Sequence, residues 1–366
     1  MKYMFVIDSN LAGGAERVIA ILVNYLAEKK YHVILLNFDK ESNFYPINKN
    51  VEIIKLASKY SEIERLNNKV IKKLMIIRKT RTEIKRCKPD VVIPFLFASE
   101  LAVIPYCVRK SIPCITSVRN DANVYPKYQR FFRRHYYPKL SRVVFQSHAV
   151  RNHKDYRQLD NSCIIPNPLD MKLIEEREVS IDSNKIISVG RLTNQKNHGL
   201  TIQVMYKLVK EYPDLHLHIY GSGPLKEELQ NKINKLNLQK NVFLEGVIEN
   251  AQYVNRDAAA FIMASNFEGF PNALLEAMAC HIPSICTNFK SGTAEEALLS
   301  GEAGWLIEVG NAIELEHAIR ECISNVELAE KKAKLAILQC KKYSVNVIGN
   351  CWDEILLQAI SERNSH

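Results

Sequence analysis

No stretch of this 366-residue chain approaches the roughly 18 consecutive apolar residues that a membrane-spanning helix needs. The opening "MKYMFVIDSN" is too short an apolar run for a secretory signal and meets Asp8 at once. The nine cysteines are odd in number, form no Cys-x-x-Cys pair and fall mostly in apolar strings such as "AMAC" and "PSICT". That excludes the usual zinc spacings and a closed disulfide framework and fits reduced core thiols, so the expectation is a cytoplasmic protein with no bound metal. Internal repeats at solenoid period and low-complexity segments are also missing. So is Gly-x-Gly-x-x-Gly, which argues against a dinucleotide oxidoreductase.

What is present is an ordinary globular composition, 47% hydrophobic and 25% charged, in a chain longer than one hydrophobic core usually organises. Two domains are expected. The net charge of +10 is uneven: up to Ile165 there are 30 Lys and Arg against 14 Asp and Glu, a balance of +16, which leaves −6 for the rest. The first half therefore suits an anionic partner.

Short Val- and Ile-rich runs alternate with helix-length segments, the pattern of parallel βαβ units. A first series, "KYMFVID", "HVILLNF", "VEIIKL", "VVIPFL", "CITSVR", "RVVFQS" and "CIIPNP", is followed by "KIISVG", "LHIYGSG", "NVFLEG", "AAFIMAS", "PSICTN" and "WLIEV". The prediction is an α/β chain of two doubly wound, Rossmann-like domains, residues 1–167 and 168–345, and a final amphipathic helix in 346–366. The polar stretch "EEREVSIDSNK" reads as linker. In such sheets ligands collect at the carboxyl ends of the strands, beside bare helix N-termini.

The unusual residues fall at those ends. Gly13 and Gly14 precede a helix after the first strand, suited either to a phosphate or to a tight turn. "VGRLTNQKN" puts Gly190, Arg191 and Lys196 in one loop, a planar fork and a mobile point charge that together suit a diphosphate. "YGSGPLKEEL" supplies Gly221 and Gly223. In "SNFEGFPNALLEAMACHIPSI", Glu268 lies just past a buried strand, Gly269 permits a turn, Pro271 opens a helix, and Glu276 sits in its second turn among Ala273, Leu275, Ala277 and Cys280. A carboxylate on so apolar a helix needs a hydrogen-bonding partner, in the protein or in a ligand. Unpaired N–H groups are expected around Phe270 to Asn272, aimed at a phosphate or sugar oxygen.

The Gly pair of "AGGAER", the linker "IPNP", "SVGRLTNQKN", "IYGSGPLKEEL", "EGFPNALLEAMACHIPSI" and "EEALLSGEAGWLI", in this order, resemble the retaining GT-B glycosyltransferases of family four. The resemblance runs over nearly the whole chain and is most specific at the two glutamates with seven residues between them. It implies two domains facing a central cleft, with the last helix crossing back to the first domain. It further implies that Arg191 and Lys196 hold the donor diphosphate, Glu268 the sugar hydroxyls, Glu276 the ribose hydroxyls, and Gly14 a phosphate from the opposite domain. Arg191, Lys196 and Glu268 would then be catalytic. Gly13, Gly190, Gly221, Gly223, Gly269, Phe270, Pro271, Asn272, Ala273 and Leu274 would complete the donor site. Where many relatives carry a histidine this chain reads "TSVRNDANVY", so Arg119, Asn120 or Asp121 is expected near the acceptor or the reacting centre. With no Asp-x-Asp, the basic pair would neutralise the departing diphosphate in a metal-independent transfer from a UDP-sugar.

Residues 68–88 carry nine Lys or Arg and one acid, interleaved with apolar residues, and "RFFRRHYYPKLSR" repeats the combination of aromatics and cations. A solvated face would explain either alone. The pair suggests an anionic membrane surface, contacted through Lys72, Lys73, Arg78 and Lys79, and a polyprenyl-diphosphate-linked glycan acceptor at the inner face of the cell membrane. Competing expectations are an epimerase or phosphorylase of the same fold and a basic nucleic-acid-binding protein, although no nucleic-acid motif is present.

Overall fold

The computed structural model of the chain describes residues 1–8, 13–39, 45–120, 124–170 and 182–364. They form two compact units, Met1–Pro168 with Val345–His366, and Leu169–Ser344.

In the first unit the strands are β1 (Lys2–Ile7), β2 (His32–Asn37), β3 (Glu52–Lys55), β4 (Val91–Pro94), β5 (Ile115–Ser117), β6 (Arg142–Phe145) and β7 (Ser162–Ile164). The helices are α1 (Gly14–Glu28), α2 (Leu56–Lys59), α3 (Lys69–Cys87), α4 (Phe97–Lys110), α5 (Lys127–Tyr136) and α6 (His148–Arg151). All seven apolar runs of the first series became strands. They pair in parallel in the orders β3-β2-β1-β4 and β5-β6-β7, and the bridge Val92↔Cys114 joins the two sets. Parallel strands are covered on both faces, which is why they read as unbroken apolar runs. Alternate residues of β1 show the two faces. Tyr3, Phe5 and Ile7 pack with Val18, Leu22 and Leu26 of α1, whereas Met4 and Val6 pack with Ile84, Ala102 and Val103 on α3 and α4. The last helix of the chain, Val345–Asn364, lies on the α1 face. Its Trp352 stacks 6.0 Å from Phe95, and Tyr25 Oη donates to Asn350 Oδ1 at 2.6 Å.

The second unit holds β8 (Asp182–Val189), α7 (His198–Leu208), β9 (His216–Tyr220), α8 (Lys226–Lys235), β10 (Val242–Gly246), α9 (Ala251–Val254) and β11 (Ala258–Met263). It continues through α10 (Asn272–Ala279), β12 (Ser284–Thr287), α11 (Thr293–Ala297), β13 (Trp305–Ile307), α12 (Ala312–Ser324) and α13 (Val326–Cys340), and α14 is the helix already described at Val345–Asn364. Its six strands are all parallel, in the order β10-β9-β8-β11-β12-β13. One correction concerns β8, which begins at Asp182, inside the polar stretch expected to be linker. Asp182 N donates to Asp257 O at 2.8 Å, so the backbone ladder reaches beyond the apolar run.

Two doubly wound α/β units are therefore present. In each, the order reverses beside the first strand, between β1 and β4 and between β8 and β11. At such a point the loops at the carboxyl ends part and leave room for a ligand.

Candidate active site

In the second unit the loop after β8 and the loop after β11 leave the sheet at this reversal and are laced together. Asn266 N donates to Gln195 O at 2.8 Å, Asn266 Nδ2 to Asn194 O at 2.7 Å, and Gln195 Nε2 to Phe267 O at 3.0 Å. This lacing brings Lys196 onto Glu268, with Nζ 2.6 Å from Oε1 and both side chains mostly buried, 16% and 9% exposed. Glu268 Oε1 also accepts from Ser265 Oγ at 2.8 Å, and Oε2 from Gln195 Nε2 at 3.2 Å. Arg191, four residues before Gln195, is exposed, with Nη2 at 3.5 Å from Gln195 Oε1. The result is an oriented carboxylate, an ammonium bound to it, and a solvent-facing guanidinium at the carboxyl ends of two neighbouring strands.

Glu276 lies in α10, the helix that follows the Glu268 loop, where Leu274, Leu275, Ala277, Met278 and Ala279 are all buried. It is itself only 7% exposed. Pro271 caps α10 rather than opening it, and the loop before the helix is less bare than expected. Asn272 N donates to Phe270 O at 3.0 Å, and Leu274 N to Pro271 O at 3.0 Å, so those donors are already used. Thr293 Oγ1 reaches Gly269 O at 3.3 Å, and Gln252 Nε2 reaches Ala273 O at 3.2 Å, fixing the loop at both ends.

The glycines of the second unit serve the backbone first. Gly221 has φ +152°, and a Cβ there would collide with the Gly190 carbonyl; one on Gly223 would collide with Leu192 O. The loop after β9 thus rests directly on the loop after β8, closed by Leu192 N to Ser222 O at 2.9 Å. Side chains at either position would push away the segment that carries Arg191. At Gly190 a Cβ would sit 3.0 Å from the Lys196 side chain, which would have to give by a few tenths of an ångström to admit it.

His198, not singled out in the sequence, supports the same loop. It is buried at the start of α7, with Nδ1 3.3 Å from Ser188 Oγ and Nε2 3.3 Å from Gly190 O. Burial, with the neighbouring Lys196 charge added, lowers its pKa to about 4, so the ring is neutral near pH 7. Its place directly after "NQKN" at a helix start was the available signal.

In the first unit Gly13 caps α1 in extended conformation, and a Cβ there would run into the Glu16 carboxylate. A phosphate at Gly14 would have to share this helix end with that negative charge. Arg119 follows β5, its Nη1 2.6 Å from Asn167 Oδ1 of the "IPNP" segment and its guanidinium 4.2 Å over the Phe95 ring. Its buried Nε and Nη2 have no hydrogen-bond partner among the described residues, and burial lowers its pKa to about 9. Asn120 is half-buried beside it, and Asp121 lies outside the described residues. The basic stretch is one helix, α3, capped by Asn68, whose side chain accepts from Val70 N and Ile71 N. Lys73 and Arg78 are exposed and Lys72 is half-buried, but Lys79 is engaged, 2.8 Å from Glu62 and 4.0 Å over the Tyr60 ring. Lys79 therefore does not belong with the free cations.

Residues 172–338 match the family model described as Glycosyl transferases group 1, and residues 12–173 match Glycosyltransferase Family 4. A Campylobacter jejuni N-acetylgalactosamine-N,N'-diacetylbacillosaminyl-diphospho-undecaprenol 4-alpha-N-acetylgalactosaminyltransferase is 30% identical, over 91% of this chain and 93% of its own. A second enzyme of that organism, an alpha-1,4-N-acetyl-D-galactosaminyltransferase acting on a diNAcBac-PP-undecaprenol-linked glycan, is 26% identical over 98% and 99%. Among solved structures, TarM superposes with a TM-score of 0.81 at 15% identity, covering 97% of this chain and 99% of its own. Anabaena HepE, solved with UDP, gives 0.77 at 16%, covering 98% and 100%.

Proposed function

This chain belongs to glycosyltransferase family 4, with the GT-B fold, and from that premise we propose that it moves a hexose or N-acetylhexosamine from a UDP-sugar to a lipid-linked glycan, with retention and without a metal. The observation that carries the reading is the Lys196–Glu268 pair at the strand reversal, with Arg191 beside it and Glu276 on the helix that follows. In the reaction the bond between the anomeric carbon and the diphosphate oxygen breaks, an acceptor hydroxyl oxygen bonds to that carbon and loses its proton, and UDP leaves. Arg191 and Lys196 supply positive charge to the departing diphosphate, where a fixed charge contact counts most. Glu268, held by Ser265 and Gln195, accepts from the sugar hydroxyls, and Glu276 from the ribose.

The acceptor half of the reading draws on the two Campylobacter relatives, whose acceptors are diphospho-undecaprenol-linked glycans, and on the cationic first unit. Among the described residues no helix is long and apolar enough to cross a membrane, so contact with the inner face of the cell membrane would be peripheral. The test is to incubate the protein with radiolabelled UDP-sugars and a polyprenyl-diphosphate-linked acceptor. Label in the lipid fraction supports the reading; label remaining in the nucleotide sugar, or sugar 1-phosphate or an epimer as product, overturns it.

A further inference from the structure

Where α3, α4 and α5 meet on the first unit there is an open pocket of about 490 Å³, a volume typical of small-ligand sites, which run ~300 to 1,000 Å³. Phe97 and Leu101 of α4, Tyr128, Phe131 and Phe132 of α5, and Lys73 of α3 line it. Its floor is ordered by edge-on ring contacts, Phe97 to Tyr128 at 5.7 Å and Phe97 to Phe132 at 5.5 Å. Its rim is exposed: Phe131 is 75% accessible and Tyr128 63%. Beside Lys73 on α3, Val70 is 67%, Leu74 61% and Ile71 48% accessible. Water-facing apolar side chains grouped in this way mark a contact surface.

The charge around the pocket identifies what fits. α5 has no acidic residue, and the segment Lys69–Thr82 of α3 holds six Lys or Arg and no acid. Arg130 and Arg134 are tied to Asp155, but Lys69, Lys73 and Lys127 are exposed and among the residues turned to solvent. Cations, exposed aromatic rings and a hydrocarbon-lined hollow together match an anionic headgroup with an apolar chain behind it. A nucleic acid would satisfy the cations and leave the hollow unfilled.

We propose that this pocket seats one hydrocarbon chain of an anionic bilayer phospholipid, with the exposed residues of α3 and α5 entering the headgroup layer. This deepens the membrane-surface reading above by naming its partner and the side chains that enter. The experiment uses F131W in the full chain, read against wild type, whose Trp305 and Trp352 are buried. With phosphatidylglycerol vesicles the introduced indole should shift to the blue, and brominated phosphatidylglycerol should quench it, while phosphatidylcholine vesicles do neither. The double variant Y128S/F131S should lose sedimentation with anionic vesicles while keeping its melting temperature and its shift with UDP. Sedimentation without quenching, no sedimentation at all, or quenching by a brominated short-chain polyprenyl phosphate but not by the phospholipid each overturns the proposal. Loss of sugar transfer in the assay above with quenching intact would refute the catalytic reading alone.

Discussion

Lys196 Nζ and Glu268 Oε1 lie 2.6 Å apart although they are 72 positions apart in sequence, because β8 and β11 are neighbours at the point where the strand order reverses. If Lys196 holds the donor diphosphate, as proposed, the diphosphate and this carboxylate compete for one ammonium. Lys196→Ala and Glu268→Ala should each reduce kcat by roughly 100-fold or more, and the double variant should fall well short of the product of the two losses, because groups acting as a unit are not additive. Strictly multiplicative losses in a double-mutant cycle would show that the pair is not coupled in the reaction.

Arg191 points to solvent with one weak contact, so its removal should barely alter the fold. Arg191→Ala should keep the wild-type melting temperature and lose roughly 100-fold in turnover, with Arg191→Lys recovering only part, since a point charge does not reproduce the planar fork. Excess EDTA should leave wild-type turnover unchanged. Activity that vanishes with EDTA and returns with magnesium would refute the metal-independent mechanism.

His198 makes the second unit sensitive to acid. Its pKa is about 4 in the folded chain, against the ordinary 6.5, so between those values the unfolded chain binds more protons than the folded one. Stability from this group is therefore fully present above pH 6.5 and is lost as pH falls toward 4, a loss of about 3 kcal/mol at most. His198→Gln should flatten the fall in melting temperature of the second unit between pH 6.5 and 4. An unchanged slope would show that the imidazole is not the titrating group.

The basic helix can be tested by charge reversal. Changing Lys72, Lys73 and Arg78 to Glu should release the protein from anionic vesicles, since each cation near such a surface contributes about 1 kcal/mol, and UDP binding should survive. Lys79→Glu should instead lower the melting temperature, because it loses the Glu62 contact and the Tyr60 ring. Release that is equal for Lys79→Glu alone would mean that its ion pair opens at the membrane.

All thirteen strand runs were legible because parallel strands are buried on both faces and spell themselves as apolar strings. The start of β8 was not, since Asp182 is polar and exposed and joins the ladder opposite Ala258 through its backbone N–H. Arg191, Lys196 and Glu268 stand out in the sequence by residue type just past a strand end, and Glu276 as a lone acid on an apolar helix. Their pairing does not, because it depends on β8 lying beside β11, a tertiary fact. The same limit explains Gly221 and Gly223, which the sequence offers to a ligand and the fold uses to let two loops touch. Lys79 reads like its neighbours on α3, and only the position of Tyr60 and Glu62 sets it apart.

The most direct measurement of the donor site is a calorimetric titration of UDP into wild type, Glu276→Ala and Glu268→Ala. If Glu276 meets the ribose and Glu268 the sugar, wild type binds, Glu276→Ala loses about 1 to 3 kcal/mol of affinity, and Glu268→Ala binds UDP nearly as wild type does while turnover collapses. No binding of UDP to wild type, or equal losses in the two variants, would contradict the assignment.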